Sequence, residues 1–417
     1  MAANDLRVFR AVGLPDASTS QDTSTVGEPS LATSAGGQAY MTGNWYASRS
    51  LDAGATWTHV DPFNSLPSAA GGFCCDQLTM HDRRRELWIW ILQYIRANNT
   101  NVFRLAATRN PSFPTAGWYW WDISPATLNG QWTNVWFDYP DAALTNDHLW
   151  VTFNQFDNSS PAQWQRASVM KFPLATIANA GILGFSHWST NQHGSLRLTQ
   201  GAAQSMYFGS HTSTSQLRLF QWDDGGNQIS WWDVNVGQWT AGNFASIAPN
   251  GVNWLGRVDP RITGAWVAQG RVGFMWTAGT RQGRPNPHIR VVRINEATKQ
   301  LVDEPDIFSN QNAWAYPAAS PNERGELGFS AFYGGPGRHP SPVVGVRDDP
   351  ANTWKTVFSV TSSHSPTTAA WGDYLTCHAH EPFGHTWVAS GYSLQGGSDR
   401  RNVEPRFTHF GFEKDTP

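Results

Sequence analysis

A unit of four short strands recurs along this chain with a period of about 50 to 60 residues. Each copy opens on a short strand, often beginning with Asp, and passes through a polar turn into a strongly apolar strand. A variable loop, a third strand and frequently a Trp-bearing fourth complete it. The copies are expected at 29–33, 38–43, 46–50 and 57–60; at 76–80, 87–92, 102–109 and 118–123; and at 141–145, 149–153, 167–172 and 185–188. They continue at 196–199, 206–210, 217–220 and 230–234; at 259–263, 272–276, 289–294 and 301–308; and at 317–320, 327–332, 342–346 and 354–360. The last copy, 373–377, 386–391 and 406–412, stops one strand short. Residues 6–12 have no partner of their own at the other end of the chain, and they can supply the missing strand. The expected fold is therefore all-β: a seven-bladed β-propeller of four-stranded antiparallel blades, occupying 1–417 as one domain. Its N-terminal strand joins the last blade, which leaves only short, protected edges.

Composition agrees with a turn-rich β protein. Charged residues are 15% and aromatics 13%, with 23 Trp, 38 Gly and 25 Pro. No apolar run approaches the roughly 20 residues of a membrane span. The net charge of −3 argues against a nucleic-acid surface. Lysine appears only at Lys171, Lys299, Lys355 and Lys414, so nearly all cations are Arg, which favours bidentate contacts to carboxylates and stacking on aromatic faces. MAANDLRVFR lacks the apolar centre of a signal peptide. The chain reads either as the mature form of an exported protein, secreted or periplasmic, or as a cytoplasmic one. Cys74 and Cys75 are adjacent and can either close a vicinal disulfide or remain two half-buried thiols; Cys377 is remote.

Ser50–Trp57, SLDAGATW, follows two strand-like runs and has the order of a tight hairpin turn. Ser50 and Asp52 can accept hydrogen bonds from turn amides. Gly54 supplies a positive φ, and Trp57 is large enough to lock the turn onto the sheet. These eight residues resemble the Asp-box of the sialidase-like (BNR) β-propellers at every defining position. In that family the motif joins the third and fourth strands of a blade, on the face opposite the active site. The resemblance thus implies a propeller whose chemistry lies on the other face. It also points to carbohydrate-active relatives: sialidases, and propeller-type polysaccharide lyases and rhamnosidases acting on uronic-acid glycans.

On that other face, Asp76, Asp141, Asp259 and Asp373 stand at the starts of innermost strands, with Asp138 close by. They can form a funnel of carboxylates supplying acid, base or, as a structural site in the central channel, Ca²⁺ ligands; no other cofactor and no catalytic metal is expected. Alternatively each Asp ties inter-blade amides, as turn aspartates do. A second ring is aromatic: Trp45, Tyr46, Tyr94, Phe156, Trp276, Phe332, Tyr333 and Tyr392 fall where second strands run into their loops, with His211 in that place in the fourth copy. Such faces suit the C–H faces of sugars, or blade-to-blade packing.

Arg197, Arg257 and Arg261 lie near the starts of neighbouring inner strands, and Arg338 sits beside His339 in a loop. In the sialidase family three arginines hold the sugar carboxylate, and Arg197, Arg257 and Arg261 are the candidates here. The chain departs from the family in lacking a clean Phe/Tyr-Arg-Ile-Pro motif and in having one intact Asp-box. For a Tyr–Glu pair, Tyr139, Tyr316 and Tyr374 stand at blade entries and Glu28 is the best-placed Glu. Lyase chemistry would use Arg with His193, His211 or His339 and Tyr374. His378, His380, Glu381 and His385 have spacing that can grip a metal, but fall on the far face. The resemblance thus implies cleavage of an acidic terminal sugar, with Asp76, Asp259, Asp373, Tyr374 and His211 as catalytic candidates and Arg197, Arg257, Arg261, Arg338, Trp45, Tyr46, Tyr94, Trp276 and Tyr333 as glycan contacts. A non-catalytic lectin or adhesion module, and a structural scaffold of an assembly, are the alternatives.

Overall fold

The computed structural model describes residues 5–14, 20, 22–110 and 117–417. Its strands form seven four-stranded antiparallel sheets. The innermost strands touch one another in a closed cycle: Ser30–Thr33, Phe73–Asp82, Trp136–Leu144, Arg197–Leu198, Ile262–Ala268, Ala313–Pro321, Thr376–Ala379 and back to the first. A blade packs on a neighbour through both faces, so its middle strand is covered on both sides. Leu87–Tyr94 and Trp387–Leu394 are buried at every position. The cores accordingly lie between blades. Phe103 of the second blade stacks on Phe153 of the third at 4.7 Å, with Phe137 beside them. Wide rings suit these wedge-shaped gaps, and Trp90, Trp150, Trp222, Trp276 and Trp387 are fully buried.

The N-terminal strand closes the ring as expected. Leu6–Gly13 pairs antiparallel with Val403–Phe412, from Leu6 opposite Phe412 to Gly13 opposite Arg406. Arg10 continues across to the first blade, donating from Nη1 to the Ala53 carbonyl at 2.7 Å.

Strand entries differ from expectation at the end that matters for a site. The inner strands of the fifth and seventh blades begin at Ile262 and Thr376, so Asp259 and Asp373 stand in the approaching loops. Those of the second and third begin earlier, at Phe73 and Trp136, and carry bulges through Cys74–Asp76 and Tyr139–Pro140. The fourth strand of the fifth blade is only Leu301–Asp303.

The Ser50–Trp57 turn joins the third and fourth strands of its blade, at the opposite end from those entries. Asp52 Oδ1 accepts from the Thr56 amide (2.8 Å) and Oδ2 from the Thr56 hydroxyl (2.6 Å). Ser50 Oγ donates to Asp52 and accepts from the Gly54 amide. Gly54 has φ +80°, and a Cβ there would meet the Phe407 ring at 2.3 Å. These contacts, chiefly from Thr56, hold the Asp52 carboxyl down at about 2. Asp52→Ala removes the acceptor that organises the turn and is expected to cost about 1 kcal/mol, read as a lowered denaturant midpoint.

Candidate functional site: a carboxyl cluster at the axial mouth

Three residues that precede prolines turn the chain into the axis. Glu28, Tyr139 and Tyr316 stand before Pro29, Pro140 and Pro317 with φ of +45°, +56° and +56°. The left-handed region is disfavoured for residues with a Cβ, and proline pushes its predecessor toward extended backbone. Each such residue costs on the order of 1–3 kcal/mol, and strain of this kind gathers at functional sites. In the third and sixth blades the same residues sit in β-bulges, which re-aim their side chains out of the sheet.

What converges there is acidic. Glu28 lies within hydrogen-bonding reach of both Asp76 and Asp373. Burial raises the Glu28 carboxyl well above the usual range, and the charges of Asp76 and Asp373 raise it further. Asp76 is raised to about 7, first by burial and then by Asp138. Burial raises Asp138 as well, although it accepts a hydrogen bond from Gln93 (3.3 Å).

Two arginines counter this charge. Arg257 Nη2 lies 2.9 Å from Asp373 Oδ2, and Arg261 Nη2 3.7 Å from Asp373 Oδ1. Arg261 also pairs through Nε with Asp259 (2.5 Å) and lies over the Tyr139 ring at 3.9 Å. Half of the Arg257 side chain (49%) is exposed, against 26% for Arg261, so Arg257 keeps an open face. Asp373 is held from behind: Tyr392 donates to the Thr25 carbonyl (2.6 Å) and accepts from the Gly372 amide (2.8 Å). Gly372 has φ +99°, and a Cβ would lie 2.1 Å from the Tyr316 ring, so glycine is required for this approach.

The hydroxyls of Tyr139, Tyr316 and Tyr374 are buried around these carboxyls without a protein hydrogen-bond partner. Beside them, Cys74 and Cys75 form a disulfide, the first of the two states open to them, directly before Asp76.

Asp76, Asp259, Asp373, Tyr374, Arg257 and Arg261 thus come together, joined by Glu28, Asp138, Tyr139 and Tyr316. Other candidates do not join them. Arg197 pairs with Asp141 (3.1 Å), whose other oxygen accepts from the Leu198 amide (2.8 Å). This ties the third blade to the fourth and commits Arg197 to Asp141 instead of an arginine triad, while both line a channel cavity together with Tyr374. His211 is clasped between Trp239 and Trp276, centroids 4.7 and 4.6 Å away, and burial drops it to about 4. It is a neutral packing group. His193 contacts Arg218 (3.2 Å), and His339 contacts Ser365 (2.7 Å).

The aromatic ring is largely packing. Tyr46, Tyr94 and Trp276 are buried, with the Arg104 guanidinium over Tyr94 at 4.9 Å. The Tyr333 hydroxyl accepts from Asn312 (3.0 Å) and its ring lies against Trp314. Arg338 stacks on Phe358 at 4.6 Å. Trp45 alone of the proposed sugar contacts is half-buried with no recorded ring partner among the described residues. Alternation marks which residues share a face, but both faces of these blades are covered. The histidines of the far face also part company: Glu381 binds His81 Nδ1 (2.8 Å), and His380 lies against His409, centroids 4.1 Å apart. Among the described residues no group of three or more His, Cys, Asp or Glu side chains is arranged to hold a metal, and no helix is long and apolar enough to cross a membrane.

No family model and no curated protein matches the chain. Among solved structures it is similar to a chain of the mitotic checkpoint complex (8% identity, TM-score 0.47, covering 99% of this chain and 93% of that one). It is also similar to puromycin hydrolase (14%, 0.49, 94% and 54%), of which it spans about half the length. An alpha-l-arabinofuranosidase from Fusarium graminearum is a third such structure (10%, 0.44, 93% and 94%). These are likenesses of overall fold and nothing finer.

Proposed function

We propose that this propeller cleaves a glycosidic bond at the axial mouth by carboxyl acid–base chemistry. The observation that carries the reading is the ring of buried tyrosine hydroxyls without protein partners around buried carboxyls held above the ordinary carboxylate range. A buried hydroxyl left unpaired costs about 1–3 kcal/mol, and a hydroxyl-rich ligand would recover it. Asp76, titrating near 7, is suited to protonate a leaving-group oxygen. Asp373, on the other side of Glu28 and ion-paired with both arginines, is suited to face the positive charge that develops on the sugar. Asp259 keeps Arg261 in place, and Tyr139, Tyr316 and Tyr374 would bind sugar hydroxyls.

The acidic-sugar part of the proposal rests on Arg257, whose open guanidinium face can take a sialic or uronic carboxylate. The disulfide suits an oxidising compartment, and hence an exported protein.

The test is a panel of acidic and neutral glycans scored for both binding and product release. Arg257→Ala is expected to weaken binding of acidic glycans at least tenfold and to leave neutral ones unchanged. Binding without release would make the protein a lectin. Equal binding of both classes would remove the acidic sugar, and no binding would favour a structural scaffold.

A further inference from the structure

A bulge of the single residue Thr263 marks the entry of the fifth blade; the wider bulges of the second, third and sixth blades are built in two ways. In the third blade Asp138 opposes Asn154 and Asp141 opposes Thr152, so Tyr139 and Pro140 stand against one residue. In the sixth, Ala315 opposes Phe332 and Ala318 opposes Ser330, so Tyr316 and Pro317 stand against one. Proline stiffens both bulges, because its ring fixes φ. The second blade has no proline here and carries one residue more: Phe73 opposes Tyr94 and Gln77 opposes Leu92, leaving Cys74, Cys75 and Asp76 against Gln93 alone. The larger bulge is closed by the Cys74–Cys75 disulfide instead.

We propose that the Cys74–Cys75 disulfide is the positioning element of the mouth, taking the place of the proline in the other wide bulges and setting Asp76 among the buried carboxyls, so that its reduction releases Asp76. The ring closed by the two sulfurs removes torsional freedom from the residue immediately before Asp76. The segment is anchored at its two ends, where the Gly72 carbonyl accepts from the Ile95 amide (2.9 Å) and Phe73 pairs with Tyr94 on one side, and Gln77 accepts from Trp90 (2.8 Å) on the other. The freedom that the disulfide restrains is that of the bulge between them. Gly71 and Gly72 precede it with φ of +90° and +78°, and Gly72 has open space where a Cβ would stand. Asp76 meanwhile occupies an unfavourable place, 8% exposed beside Glu28, Asp138 and Asp373. A carboxylate freed from such a place moves toward water, because charge repulsion and desolvation both favour that move. Both cysteines are half-buried, not enclosed, so a small dithiol can reach them. The reaction is a two-electron exchange: the dithiol becomes its own disulfide, and its two electrons and two protons leave Cys74 and Cys75 as thiols. Cys377, buried in the inner strand of the seventh blade, takes no part.

The effect on turnover rests on the reading of Asp76 as the acid, so the decisive measurement uses no substrate. The Asp76 carboxyl is followed by ¹³C NMR titration, assigned by its loss in Asp76→Asn, in the oxidised protein, after dithiothreitol, and after reoxidation. Intact mass checks that two thiols appear and disappear. The oxidised form is expected to titrate near 7. Reduction is expected to lower the midpoint by at least one unit, a tenfold loss of proton affinity, and reoxidation to restore it. The Cys74→Ala/Cys75→Ala variant is expected to match the reduced form at any potential. An unchanged midpoint in both the reduced protein and this variant overturns the proposal. If glycan turnover is found, the alkaline limb of its pH profile is expected to move down with the same midpoint while KM holds. A midpoint that moves without any glycan being cleaved removes the glycosidase reading and leaves the positioning role standing.

Discussion

Removing residues 1–13 is expected to destabilise the ring by roughly 5 kcal/mol and to make the protein prone to aggregation. The strand lost pairs with Val403–Phe412 from Leu6 to Gly13. Leu6 and Val8 pack against the core between the sixth and seventh blades, and Phe9 lies edge-on to His409 at 5.1 Å. Three partly buried apolar side chains at about 1–2 kcal/mol each give a loss of this size. The Arg10 link to the first blade goes with them. Deletion also exposes the Val403–Phe412 edge, with unpaired backbone groups beside buried Phe407 and Phe410. Denaturant unfolding and size-exclusion chromatography of the truncated chain decide the matter. A midpoint equal to that of the full chain would show that the last blade closes without this strand.

Asp76→Asn is expected to abolish turnover and at the same time to stabilise the fold at alkaline pH. General acid catalysis contributes about 10²–10⁴ in rate, and an amide cannot supply the proton. The stability effect runs opposite to that of a salt-bridged carboxylate. Its folded value is raised to about 7, mainly by burial, above an ordinary 3.8. Below about 4 both states are protonated and the group is neutral to stability. Between about 4 and 7 the unfolded chain ionises while the folded one keeps its proton, so stability falls as pH rises. Above about 7 the loss is complete, on the order of 4 kcal/mol. Asn never ionises, so the variant should show a flatter stability curve and a higher midpoint at pH 8, with little difference at pH 4. A variant less stable than the parent at pH 8 would mean that Asp76 is a structural anchor.

The blades were legible because their middle strands are continuous apolar runs between turn residues, as in Leu87–Tyr94. The closing strand was legible by subtraction, since residues 6–12 had no partner while the last copy lacked one. The site was partly legible. Asp76, Asp373, Arg257 and Arg261 are charged residues at strand entries, where a propeller brings chains to its axis. Arg197 stands in the same kind of position and yet turns to Asp141. Tyr46, Tyr94 and Trp276 carry the same signal as a sugar-stacking ring and are buried between blades. The joint signal for Tyr139 and Tyr316 was the Tyr-Pro step at matching places in two blades, with Glu28-Pro29 as a third.

The sequence by itself determined the periodic architecture and the turn at Ser50–Trp57, because local apolar pattern and turn chemistry specify each within a few neighbouring residues, and it determined the ring closure by leaving one strand over at one end and one short at the other. Only the tertiary structure decided which polar side chains meet at the mouth. Glu28, Asp76 and Asp373 come from three different blades, and the raised Glu28 carboxyl depends on a common burial that no single segment encodes. It likewise decided between thiol and disulfide at Cys74 and Cys75, because the wide bulge opposite Gln93 exists only once the second blade has paired.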